Sequence, residues 1–312
     1  MLRAFGPTIE TVGEADWHGM NSADVALLRL VAQRHRDPAP PRLVHASFTR
    51  LLERTGATLV GVWEQLRNLL GFIGAMLVTL GKVVIGRRRL RLTATVFHME
   101  QAGLDAVPIV SLLSFLVGAV VAFLGATVLR DFGAEIFTVE LVSYSFLREF
   151  GVLLTAILLA GRSGSAFTAQ IGSMKSREEL DAIDALGLDP MELLVIPRLL
   201  ALLTMLPVLT FIAMISGIVG GGIVGTMSLD ITPAMFISRV HEMTELRHFW
   251  VGMVKAPIFA LTIAAVGCLE GFKVEGSAES VGRHTTSAVV QSIFLVIVFD
   301  ALFAMFFMEM HL

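Results

Sequence analysis

The sequence predicts an all-α membrane protein: about five transmembrane helices, preceded by an interfacial helix and a small α/β segment at the N-terminus. Three observations carry this expectation. The 312 residues are 55% hydrophobic and only 16% charged, whereas soluble domains carry roughly 25% charged residues. Apolar runs of about the 20 residues that a bilayer requires recur along the chain. Charge between those runs is clustered, as in "RRRLR" at 87–91 and "SREELDAID" at 176–184.

The elements follow in chain order. Residues 1–58 have a soluble composition, broken by "RDPAPPR" at 36–42. In "SADVALLRLVAQRHR" apolar residues recur at helical spacing, and "PRLVHAS" followed by "FTRLLERTG" reads as a short strand and a helix. No apolar core with a small-residue cleavage site opens the chain, so no cleaved leader is expected. Residues 59–92 are apolar yet carry Glu64, Arg67, Lys82, Arg87, Arg88, Arg89 and Arg91. A run of this kind can span a bilayer or lie in its interface; such charges suit a headgroup layer, so the interface is the expected place.

Spanning runs follow at 104–129, 138–160, 194–225, 248–269 and 287–309. The third is longer than one crossing needs, and Pro197 and Pro207 predict a kinked start. Arg87 to Arg91 precede the first run, Arg162, Lys175 and Arg177 follow the second, and Lys273 and Arg283 separate the last two. An excess of Lys and Arg marks cytoplasmic ends, which puts 161–190 in the cytoplasm. The lone Cys268 excludes an intrachain disulfide. A net charge of −3 gives no sign of a nucleic-acid partner, and no metal or cofactor site is expected on this chain.

Gly161-Arg162-Ser163-Gly164 spells the G-x-S-G of an intramembrane serine protease. A serine nucleophile needs a base, and the apolar runs hold no interior histidine: His98, His241, His248 and His284 fall before or beside them. The alternative is a tight helix–loop junction. Beyond it Ser176 and Glu179 have capping-box spacing, and Gly187 suits a helix end. Glu178, Glu179, Asp181 and Asp184 spread around this short helix, while Leu180, Ile183 and Leu186 form a narrow apolar stripe. It reads either as a handle for another protein's groove or as a solvated loop.

Arg148, Glu149, Lys255 and Asp300 lie within the apolar runs, where each ionised side chain costs roughly 2.5–3.5 kcal/mol near the bilayer centre. Two readings stand side by side. The four can form interhelical ion pairs, Glu149 with Lys255 and Arg148 with Asp300. Alternatively they rim a lipid cavity, where Arg148 and Lys255 suit a phosphate headgroup. In "GIVGGGIVG", Gly217, Gly221 and Gly225 recur every fourth residue, a face for close helix packing. The chain has no G-x-x-x-x-G-K-[ST], so any nucleotide hydrolysis must come from another subunit.

"LREFG" at 147–151, "AGRSGSAFTAQIGSMKSREELDAIDALGLDP" at 160–190, "PRLLALLTMLPVLT" at 197–210 and "EGSAESVGRHTTSAVVQSIFLVIVFD" at 275–300 resemble the MlaE family of ABC-transporter permeases. The resemblance covers 60–312. It implies a homodimeric permease subunit in a bacterial inner membrane, moving phospholipid or a related lipid, with no reaction of its own. It implies a separate ATPase that carries ATP and Mg, and an Mce-domain partner. The block at 161–190, with Gly161, Arg162, Ser163, Gly164, Glu178, Glu179, Asp181 and Asp184, would be the coupling segment that meets the ATPase. The positions of Arg148, Glu149 and Lys255 would lie at the substrate cavity.

"WHGMNSADVALLRLVAQR" at 17–34 and "PRLVHASFTRLLERTG" at 41–56 resemble the later half of a STAS domain, with Asn21-Ser22 where many members have Asp-Ser. In related complexes a STAS subunit is a further partner. A different class, the secondary transporter of an amphipathic substrate, would require inverted repeats, and the two halves show no convincing repeat.

Overall fold

The computed structural model describes residues 48–86, 91–228, 232–243 and 245–310. Of the α/β segment expected at 1–58, residues 1–47 lie outside the described residues, as do the arginines Arg87, Arg88 and Arg89. The chain divides into two units, Met1–Trp63 and Glu64–Leu312. Of the first, only the helical residues 48–63 are described.

Among the described residues every regular element is helical: α1 (Phe48–Val84), α2 (Leu92–Ala102), α3 (Val107–Arg130), α4 (Thr138–Ser145), α5 (Gly151–Leu159), α6 (Ser165–Ser176), α7 (Glu179–Ala185), α8 (Ile196–Ser228), α9 (Pro233–Met243), α10 (Leu246–Phe272) and α11 (Ala278–Glu309). Three wide turns of i→i+5 type join some of them: Phe146–Phe150 between α4 and α5, Ala160–Gly164 between α5 and α6, and Met191–Val195 before α8. The last precedes Pro197, which has no N–H for residue 193 and whose ring crowds that carbonyl, so a widened turn there relieves the clash.

Six helical stretches are long and apolar enough to cross a membrane: Thr55–Val84, Leu92–Arg130, Glu135–Ser176, Met191–Met227, Leu246–Phe272 and Ala278–Glu309. The five expected runs fall within the last five. The first is additional by length and composition, because Asn68 to Gly81 contain no charge between Arg67 and Lys82. The run expected at 138–160 does not stop at 160. Its helix continues to Ser176, with the glycines of "GRSG" absorbed in a wide turn instead of a loop.

The core is built around α10, which packs on α5, α6, α8 and α11. Val251, Ala256, Phe259, Ala260, Ile263 and Ala264 are buried along it. Apolar surface facing a bilayer gains little from association, so close contact depends on small residues. A Cβ on Gly118 of α3 would lie 2.0 Å from the Gly217 carbonyl oxygen of α8, and one on Gly220 2.0 Å from that of Phe115. These two helices meet backbone to backbone. α1 differs in presenting a single buried stripe, Leu69, Met76, Thr79 and Val83, with most other positions exposed.

Candidate functional site

The interior charges converge on Lys255. Gly252 lies one turn ahead of it on α10, and a Cβ there would be 2.1 Å from the Leu147 carbonyl oxygen. Its missing side chain lets α10 lie against the wide turn Phe146–Phe150. In that turn the Gly151 N–H reaches back to the Phe146 carbonyl, and the ladder is loosened. The Arg148 carbonyl accepts from Lys255 Nζ at 3.1 Å. The same ammonium is paired with the Glu149 carboxylate and donates to Asp300 Oδ1 of α11 at 3.0 Å. Three acceptors thus satisfy the three protons of a side chain with no solvent exposure. Glu149 retains 31% exposure against 13% for Asp300, so the cluster opens on the Glu149 side.

Of the two ion pairs expected from sequence, Glu149 with Lys255 is present and Arg148 with Asp300 is replaced. Asp300 shares Lys255 with Glu149, and Arg148 Nη1 lies 3.1 Å from His248 Nδ1. A guanidinium only donates, so Nδ1 is the acceptor and the ring carries its proton on Nε2. The Tyr144 ring meets His248 edge-on, with centroids 4.6 Å apart. The reason for the difference is register. His248 and Lys255 are seven residues apart on α10, hence on one face, and the wide turn sends neighbouring Arg148 and Glu149 to different members of that face.

Ser163 is buried, and its Oγ has no hydrogen-bond partner among the described residues. No histidine is bonded to it, which leaves the protease reading without a base. Gly164 is buried and Gly161 exposed. Arg162 Nη2 bonds Asp105 Oδ2 at 3.3 Å. Beyond α6 the chain breaks at Glu178, whose φ is 61°. The expected capping box is not formed: Ser176 is the last residue of α6, and α7 has no side-chain cap. At the other end Gly187, with φ 71°, closes α7, and the Leu188 N–H bonds the Ile183 carbonyl at 3.1 Å. Leu180 is buried, while Glu178, Glu179, Asp181, Asp184, Leu186 and Leu188 are exposed.

Cβ atoms on Gly217 and Gly221 would strike Phe146 and Val142, and one on Gly225 would contact Phe236. An apolar groove of about 590 Å3 lies beside them, between α8 and α9, lined by Ile218, Gly222, Phe236 and His241 among others. No member of the charge cluster lines it.

Sequence reasoning missed several groups. Arg198 falls inside the run 194–225; it is buried, donates to the Leu194 carbonyl at 2.7 Å and to Gln170 Oε1 at 3.0 Å, and lies over the Phe167 ring. Glu140 falls inside 138–160 and pairs with Arg239 of α9 at 3.0 Å. Both were visible as ionisable residues in apolar runs. Gly252 carried no such signal, since its importance depends on a neighbour 105 positions away in sequence.

Bilayer-length helices, a buried ion cluster open on one side and an exposed acidic helix between two spans define a multi-pass membrane protein. A profile of the family described as Permease MlaE matches residues 95–306. A probable ABC transporter permease protein of Synechocystis is 35% identical over 204 residues, 65% of this chain and 78% of its own length. One from Rickettsia typhi is 35% identical over 196 residues, 63% and 76%. The intermembrane phospholipid transport system permease protein MlaE of Haemophilus influenzae is 32% identical over 220 residues, 70% and 84%. The chain belongs to the MlaE permease family, and is a permease subunit of an ABC transporter.

Proposed function

We propose that the chain carries phospholipid through or out of a bacterial inner membrane, driven by a separate ATPase subunit that supplies ATP and Mg. It works as a homodimer with an Mce-domain partner on the far side. The observation that carries this reading is the family match across 95–306, which includes a relative named for intermembrane phospholipid transport. The chemistry of the site supports it. A headgroup phosphate reaching the open Glu149 side would meet the Arg148 guanidinium, and would engage Lys255 by displacing the Glu149 carboxylate from it, in a region where water is scarce and charge-assisted bonds are strong. The exposed acidic face of α7 and its two leucines supply the contact for the ATPase, and 161–190 is the coupling segment. α1 lies in the interface. The STAS-like stretch at 17–56, or a STAS-domain subunit, would add a second contact to the ATPase.

The test is affinity purification from the native membrane in mild detergent, with co-purifying proteins and lipids identified by mass spectrometry. A P-loop ATPase, an Mce-domain protein and bound phospholipid are expected together. Recovery of the chain alone, with flux driven by an ion gradient, would sink the reading in favour of a secondary transporter.

A further inference from the structure

The "GRSG" turn at 160–164 invites a hinge: wide turns and paired glycines are places where a helix can bend. The packing around it argues the opposite. A Cβ on Gly267 of α10 would lie 2.8 Å from the Gly164 carbonyl oxygen and 3.3 Å from its Cα. Thr168 Oγ1 bonds the Gly267 carbonyl at 2.8 Å. A Cβ on Gly271 would stand 2.8 Å from Ile171 Cβ, and one on Gly172 2.6 Å from Val274 Cγ2. At the end of α6, Lys175 Nζ donates to the Phe272 carbonyl at 2.5 Å, on the last residue of α10.

The paired positions ascend together, 164 with 267, 168 with 271 and 172 with 274, so the two helices run parallel along a seam where glycines lie against the partner's backbone or seat its side chains, Ile171 on Gly271 and Val274 on Gly172. The seam's end is fixed as well. Glu270 is buried and bonds both Lys273 Nζ at 2.6 Å and His284 Nδ1 of α11 at 2.8 Å. Toward the other end, 12 residues or about 18 Å along α10 from Gly267, Lys255 holds Glu149, and Gly252 abuts Leu147. The long helix 138–176 and α10 are therefore joined at intervals along their whole shared length.

We propose that residues 138–176 and Leu246–Phe272 move as one rigid pair, with Gly267, Gly271, Gly172 and Lys175 as the positioning residues that lock it. This rests on the proposed coupling role of 161–190. Movement imposed on that segment reaches the Lys255 cluster by tilting the pair, without bending at 160–164. Interlocked backbones resist shear, because any slip drives a carbonyl into a neighbouring Cα.

Two experiments test it. In a Cys268→Ala background, Gly172→Cys with Val274→Cys can form a disulfide, since an ideal Cβ at 172 lies 3.3 Å from Val274 Cβ, near the usual spacing of about 3.8 Å. In the complex reconstituted with its ATPase, the oxidised and reduced forms of this protein should transfer fluorescent phospholipid at rates equal within about twofold. A loss of about tenfold or more on oxidation, reversed by dithiothreitol, overturns the rigid pair.

The second readout needs no transport: amide hydrogen exchange of the purified chain. Slow exchange through 160–176, accelerated by Lys175→Met, is expected. Fast exchange confined to 160–164 in the unaltered chain would mean a hinge and overturn the proposal. A complex in which even the unaltered chain transfers no lipid would count against the proposed function, while exchange still decides the lock.

Discussion

At the residue scale the decisive group is Lys255, whose ammonium is shared by two carboxylates and a backbone carbonyl. Removing it leaves two buried acids facing each other, and breaking a buried pair costs about 3–5 kcal/mol. Lys255→Ala should therefore lose stability as well as transport, and alone it does not separate the two roles. Neutralising the whole cluster does. Lys255→Met with Glu149→Gln and Asp300→Asn leaves no uncompensated charge, and unfolding in detergent should return to within about 1–2 kcal/mol of the unaltered protein. Lipid transfer should remain abolished, because the headgroup has lost the Lys255 ammonium and Arg148 alone does not replace it. Recovery of transfer with recovery of stability would show that the charges only hold the bundle. The sequence exposed the members of this cluster, since an ionisable side chain in an apolar run is conspicuous. It did not show their partners. Adjacent residues in a regular helix diverge by about 100°, but which of Arg148 and Glu149 meets Lys255 depends on the wide turn and on Gly252, and both are properties of two helices in contact.

At the element scale, periodicity and run length found the five apolar helices and missed where two of them end. The second continues to Ser176, and α11 begins at Ala278 instead of 287. In both cases polar sequence stays helical because it is packed: Thr168 and Gly172 against α10, and Ser280, buried, with its N–H on the Ser277 hydroxyl at 3.2 Å. A capping signal such as Ser176-x-x-Glu179 is worth about 1 kcal/mol, which a packed seam outweighs. α1 is the element for which composition points two ways. It is long and apolar enough to cross, yet exposed Glu64, Arg67 and Lys82 interrupt it and one stripe alone is buried. The proposed interfacial placement predicts that a cysteine at Ser47, in a Cys268→Ala background, reacts with a membrane-impermeant maleimide only after the inner face is opened. Labelling of intact spheroplasts from outside would make α1 a sixth span and invert the N-terminus.

At the scale of the whole molecule the uneven distribution of charge is what the proposed partner contact rests on. The net charge is only −3, but Glu178, Glu179, Asp181 and Asp184 are all exposed on or next to one short helix, beside Leu186 at 74% and Leu188 at 47% exposure. Such a surface spends apolar area in water unless something covers it, and its acids favour a basic groove. Leu180, buried, fixes α7 to the bundle, and α6 behind it is seamed to α10, so force applied at α7 enters the core directly. Glu179→Arg with Asp184→Arg reverses the sign of the contact without touching a buried residue. The permease should fold and insert as before, yet recover about tenfold less ATPase on co-purification and transfer lipid correspondingly slowly. Raising the salt should narrow the difference, since exposed charges are screened beyond roughly 10 Å at 0.1 M ionic strength. The control is Arg130→Glu at the far end of α3, an exposed arginine paired with Glu135, which should leave ATPase recovery unaltered. Transport that survives the double reversal intact would remove α7 from the coupling surface and leave the acidic face as a solvated turn.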